Sequence, residues 1–156
     1  MDVSTLHFWT GIGVAVLCGT IVGLDRQLRG KPAGIRTSIL ICLGTSLYIS
    51  LGVAQAGENS DTTRVLGQVV VGIGFLGAGV IFARGATVVG ITSAAVIWIL
   101  AGIGAMIGFE WFEEAIVVAF ITVVILSGIK FIETRFPGLL TGAHAPGDDK
   151  GNTTDN

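Results

Sequence analysis

Charge is scarce along this chain. Only 13% of its 156 residues are Asp, Glu, Lys or Arg, where a soluble domain carries roughly one quarter. The shortfall excludes an ordinary water-facing surface. Nine basic and eleven acidic residues leave a net charge of −2, so neither sign is in surplus to hold nucleic acid or an acidic ligand. There are two cysteines, Cys18 and Cys42, without metal-ligand spacing or a redox pairing, and they read as small apolar core residues. No nucleophile, base and orienting group occur together, which argues against an enzyme. Acid is missing altogether between Arg64 and Glu110.

What is present is hydrocarbon. Half of the residues are hydrophobic and the mean hydropathy is +0.80. The charges divide the chain into uncharged stretches at 3–24, 37–57, 65–83, 85–109 and 115–129, to be compared with the roughly 20 residues that cross about 30 Å of bilayer core. The last is short, and becomes adequate if its helix continues past Lys130 with the ammonium reaching back to the surface. The expected fold is therefore an all-α membrane bundle of five transmembrane helices, over about 6–24, 36–56, 65–83, 89–108 and 113–132. Residues 1–136 form the membrane domain. The Gly-, Pro- and Asp-rich stretch 137–156 reads as a disordered tail. Met1-Asp2 lacks the basic start of a signal peptide, so the first span is expected to be retained. His7 and His144 have no partner at ligand spacing.

Arg26, Arg29, Lys31, Arg36, Arg84, Lys130, Arg135 and Lys150 all fall on one side of such a bundle. The excess of basic residues in cytoplasmic loops places that side inside, with the N-terminus outside and the C-terminus cytoplasmic. Trp9 and Trp111 then both lie near the outer interface, where an indole can keep its ring in the acyl boundary.

Gly72, Gly74 and Gly77 spell G-x-G-x-x-G within 65–83. A dinucleotide site would need a strand before it and an acid about 20 residues on. The acid is missing, and the flanks are apolar over transmembrane length. On a helix, Gly67, Gly74 and Ala78 form one stripe, with Gly72 and Gly79 on another about 120° away at 100° per residue. Small residues let helices approach closely in lipid. The third span is accordingly expected to be central and packed on two sides, with Gly72, Gly74, Gly77 and Gly79 at the contacts. Similar spacings at Ala15, Gly19 and Gly23, and at Ala101, Gly104, Ala105 and Gly108, mark possible partners for it.

Polar groups at membrane depth need a reason. Asp25 and Arg26 close the first span and Arg36 opens the second. The turn Lys31-Pro32-Ala33-Gly34 would bring Arg36 back to Asp25 for an ion pair. Together with Arg84 they form either a topology-setting charge cluster or a site for an anion, a lipid headgroup or a partner. Gln68 and Thr92 could extend a polar path from Asp25, while Thr92 and Ser93 read foremost as caps of the fourth helix. One carboxylate beside arginines is a poor magnesium site. No metal ligand set, catalytic residue or cofactor is expected.

Gly23-Leu24-Asp25-Arg26-Gln27, Lys31-Pro32-Ala33-Gly34-Ile35-Arg36-Thr37, Gly72-Ile73-Gly74-Phe75-Leu76-Gly77-Ala78-Gly79 and Gly90-Ile91-Thr92-Ser93-Ala94-Ala95, in this order over about residues 10–130, resemble the MgtC/SapB family of bacterial inner-membrane proteins. Asp25 stands where the family usually has Glu, and Ser38 where His or Asn is common. The resemblance implies a multi-pass protein of the bacterial cytoplasmic membrane, linked to growth in low magnesium, virulence and restraint of the F-type ATP synthase. Longer members add a cytoplasmic domain, of which only the tail after Pro137 would remain here. The expected mode of action is helix contact with the lipid bilayer's other proteins, with ATP synthase or another membrane protein as partner and a homo-oligomer as the working form. The alternative is an oligomeric transporter of Mg²⁺, another cation or a small solute.

Overall fold

The computed structural model describes residues 6–56, 63–85 and 87–135, with the side chains of Arg84 and of residues 130–135 left aside. The elements run α1 (Leu6–Leu28), α2 (Ile35–Ala54), α3 (Thr63–Ala78), β1 (Phe82–Arg84), β2 (Thr87–Val89), α4 (Ile91–Gly108) and α5 (Phe112–Arg135). In hydrocarbon every backbone N–H and C=O must be satisfied within the chain, which makes helices the outcome of long uncharged stretches. Four of the five, α1, α2, α4 and α5, are long and apolar enough to cross a membrane. The third is shorter, with 16 residues. The expected tail from 137, with His144, and the acids Asp2, Glu58 and Asp61 lie outside the described residues.

Two tight reversals set the up-and-down order. After α1, the N–H of Gly30 donates to the carbonyl of Gln27 (3.1 Å) and that of Lys31 to Arg26 (3.0 Å), with Gly30 left-handed at φ 60°. This pair of bonds closes a helix C-terminus and satisfies its last carbonyls. The same pair ends α4, from Glu110 to Ile107 and from Trp111 to Met106, with Glu110 taking the left-handed conformation at φ 66°. One end of the bundle thus gathers Glu110, Trp111, Trp9 and His7, whose Nδ1 lies 3.9 Å from Glu110 Oε2. Trp9 and Trp111 are both more than half exposed, as rings reaching into an acyl boundary would be.

The central helix is α4, contrary to expectation. It touches α1, α2, α3 and α5 and has ten of its 18 residues buried, whereas α3 buries only Ile73 and Gly77. The glycine stripes explain the exchange of places. A Cβ on Gly104 would lie 2.5 Å from the Cys42 carbonyl, and one on Gly108 2.6 Å from Ile49 Cβ. On α1, a Cβ at Gly19 would lie 2.5 Å from Ile39 Cα and at Gly23 2.6 Å from Ile35 Cα. The bare faces of α1 and α4 therefore pack on α2, not on α3. Of the four glycines assigned to packing on the third span, Gly77 alone meets another helix, at Ala94. Gly72 and Gly74 have nothing within 4 Å, and the neighbours of Gly79 are carbonyls of its own helix.

The third helix also stops earlier than its uncharged run. Beyond Ala78 the chain forms an antiparallel hairpin, pairing Phe82 with Val89 and Arg84 with Thr87. Gly90 returns it into α4 at φ 95°, where a Cβ would collide with the Val80 carbonyl. The Gly90 carbonyl accepts the first α4 bond, from the Ala94 N–H at 2.9 Å, so Gly90 is the cap. Thr92 and Ser93 are not caps, since no side chain caps α4. Gly90→Ala combines a left-handed backbone with a backbone collision and is expected to destabilise by about 2–3 kcal/mol. A drop in the thermal midpoint of detergent-solubilised protein would measure it.

Candidate functional site

The charged residues of the bundle interior, Asp25, Arg26 and Arg29, meet at the end opposite Trp9. Asp25-Arg26-Gln27-Leu28 are tolerable helix formers, so α1 continues one turn past Leu24 and winds its charges onto separate faces. Asp25 and Arg29, four apart, fall together. Arg29 lies 2.7 Å from Asp25 Oδ1 and its Nε donates to the same oxygen at 2.9 Å. The Ser127 hydroxyl on α5 completes the group, accepting from Arg29 at 2.6 Å and donating to Asp25 Oδ1 at 3.1 Å. The Asp25 side chain is only 10% exposed and that of Arg29 23%. This triad pins α1 to α5.

Arg26 turns the other way. It is 3% exposed, and its guanidinium donates to the Ser93 hydroxyl on α4 at 2.6 Å and to the Pro32 carbonyl at 3.4 Å. It ties α1 to the start of α4 and to the turn before α2. Gln27 holds the same turn from outside, its Oε1 accepting from the Ile35 N–H at 3.3 Å. Two buried polar atoms here make no hydrogen bond, Asp25 Oδ2 and Arg26 Nε. The cluster thus keeps one acceptor and one donor in reserve.

Among the expected site residues, the structure brings Asp25 and Arg26 into the interior and leaves Arg36 exposed on the first turn of α2. The anticipated Asp25–Arg36 pair does not form. Arg29 is nearer along the same helix, and the turn at residues 29–34 directs Arg36 outward. Arg84 lies on β1. Gln68 and Thr92 are exposed. Gln68 lines a groove between α2 and α3 whose walls include neither Asp25 nor Thr92, so within one chain these three do not line a common path. Among the described residues no group of three or more His, Cys, Asp or Glu could hold a metal ion. Sequence reasoning missed Arg29, Ser93 and Ser127 as partners. The i,i+4 spacing of Asp25 and Arg29 could have found the first had α1 been extended beyond Leu24.

The motifs that build this end also place the chain among known proteins. The pattern of the MgtC family matches residues 12–135. The chain belongs to the MgtC family. Relatives include Protein SrpB of Synechococcus elongatus, 35% identical over 80% of this chain and 78% of SrpB. "Putative magnesium transporter YhiD" of Escherichia coli K12 is 41% identical over 72% of this chain and 55% of that protein. Protein MgtC of Brucella abortus is 40% identical over 66% and 43%. The chain therefore spans about half the length of these last two family members. No solved structure matches it.

Proposed function

We propose that this MgtC-family membrane protein is a non-enzymatic regulator of the bacterial inner membrane, acting under magnesium limitation by helix-to-helix contact with other membrane proteins. The observation that carries this reading is the outer face of α3. Gly74 is open, with nothing within 4 Å, beside Val71 and Phe75, which are 72% and 81% exposed. Gly67 and Ala78, also exposed, continue the same line two turns before and one turn after it. A small-residue groove edged by large apolar side chains is what a second helix needs for close approach in lipid. The interior charges, by contrast, are engaged in holding α1, α4 and α5 together. The family resemblance makes the F-type ATP synthase the first partner to test, and the excess of basic residues at the Asp25–Arg29 end supports a cytoplasmic position for it.

Gly74→Leu would fill that face, its Cβ entering open space. Co-purification of membrane partners from magnesium-starved cells should fall at least five-fold in this variant, with helix content unchanged. Full retention of the partners would overturn the reading. A second reading, movement of magnesium, is favoured by the likeness to YhiD, which is named a "Putative magnesium transporter". Since Asp25, Gln68 and Thr92 line no shared path in one chain, it requires a homo-oligomer. Magnesium flux into proteoliposomes containing the purified protein would favour it over regulation.

A further inference from the structure

The opposite face of α3 carries a different feature. Between α2 and α3 lies a groove of about 620 Å³, walled by residues from Thr37 to Tyr48 on one helix and from Val65 to Leu76 on the other. Its floor is mostly apolar, with Ile41 8%, Thr45 5% and Ile73 9% exposed. The two helices are in close contact near one end, where a Cβ on Gly52 would lie 2.8 Å from a methyl of Val65. Toward the other end they part. Gly44 and Gly72, both on the walls, have nothing within 4 Å. The groove is therefore a wedge, shut beside Gly52 and open toward Thr37 and Leu76.

Three properties of this wedge agree on one kind of occupant. The first is its size, which falls within the range of small-molecule sites. Its length is the second: eleven helical steps on either wall give about 16 Å, half of a roughly 30 Å hydrocarbon core, and so the depth of one leaflet. The third is charge. Arg36 directly precedes Thr37 at the open end and is exposed, as is Lys31 on the turn before it, while the groove lining itself carries no charge. A chain that is apolar along its length and anionic at its end matches all three.

We propose that the α2–α3 groove binds one acidic phospholipid, an acyl chain lying between Gly44 and Gly72 and the phosphate held at Arg36. The site is independent of the partner face, since Gly72 and Gly74 point to different sides of α3. Lipid binding therefore stands or falls separately from the regulatory reading.

The test uses the full chain in nanodiscs of equimolar phosphatidylglycerol and phosphatidylcholine, followed by release and native mass spectrometry. The expected result is one retained phosphatidylglycerol per chain, favoured about five-fold over phosphatidylcholine, the effect of one arginine near an anionic headgroup. Gly44→Leu with Gly72→Leu fills the wedge from both walls and should reduce retained lipid at least ten-fold. Gly74→Leu, on the other face of the same helix, should leave it unchanged. Arg36→Gln should keep a lipid bound but bring the headgroup preference close to one. Circular dichroism checks the double variant, and if its helicity falls, Gly72→Leu alone decides. The proposal is overturned if the wild-type chain retains no lipid, if filling the groove leaves the adduct in place, or if the headgroup preference survives Arg36→Gln. A wild-type dimer without lipid that the filled groove dissociates would overturn it too, assigning the wedge to a second copy of the chain.

Discussion

Gly19→Ala should destabilise the bundle by about 1–3 kcal/mol, and Gly19→Leu by about 3 kcal/mol or more, because added atoms have nowhere to go in a packed interface. The first new carbon would lie 2.5 Å from Ile39 Cα and 2.7 Å from its nitrogen. These are backbone atoms, which no rotamer change can move aside. The α1–α2 contact is the most extensive in the bundle, so separating the two backbones loosens much of the core. Gly74→Ala supplies the matched contrast. It makes the same chemical change on a helix, in open space, and replaces the poorer helix former by the better one. It should leave stability unchanged or raise it by up to about 1 kcal/mol. Thermal midpoints in one detergent measure both. Equal losses at Gly19 and Gly74 would show that α3 is enclosed as tightly as α1, against the geometry described above.

The second large effect is expected at the triad. Asp25→Ala removes the counter-charge of Arg29 and leaves a largely buried guanidinium without its carboxylate, a change that costs about 3–5 kcal/mol when one partner of a buried pair is lost. Replacing both, as Asp25→Leu with Arg29→Met, removes the orphaned charge and should recover at least half of that loss. Ser127 can then return its hydroxyl to a carbonyl of its own helix. A double variant as unstable as Asp25→Ala would mean that the triad contributes something besides charge compensation. The comparison also guards the functional assays. Loss of activity in Asp25→Ala alone cannot distinguish a ligand site from a broken fastening between α1 and α5, whereas a stable, inactive double variant would.

How far the fold could be read in advance depends on which physical signal each feature leaves. Gaps between charges located α1, α2, α4 and α5, because crossing hydrocarbon demands both length and the absence of charge. They could not end α3. Val80, Ile81 and Phe82 are as apolar as the helix before them, so a hairpin there has the same hydropathy as one more turn. The glycine stripes were visible, but their partners were not. Close approach here is one-sided: Gly19, Gly23, Gly104 and Gly108 provide bare backbone, while the facing atoms belong to Ile35, Ile39, Cys42 and Ile49. A helix that receives a glycine face carries no matching mark. At the charged end, Asp25 and Arg26 were recognised, but Ser93 and Ser127 approach through folding from residues 67 and 102 positions away. Nothing local announces them.

The short α3 has a consequence for the membrane itself. Sixteen helical residues rise about 24 Å, some 6 Å less than an average hydrocarbon core. The two strands that follow leave open edges, whose unpaired N–H and C=O groups hydrocarbon does not tolerate, so Phe82–Arg84 and Thr87–Val89 are expected at headgroup level. If α3 crosses the membrane as its sequence predicts, lipid beside it is expected to dip to meet it. Such a local thinning has an elastic energy, and two dips that merge have less than two apart. This is a pull toward thinner regions of bilayer and toward other proteins that dimple it, felt before any residue of a partner is touched.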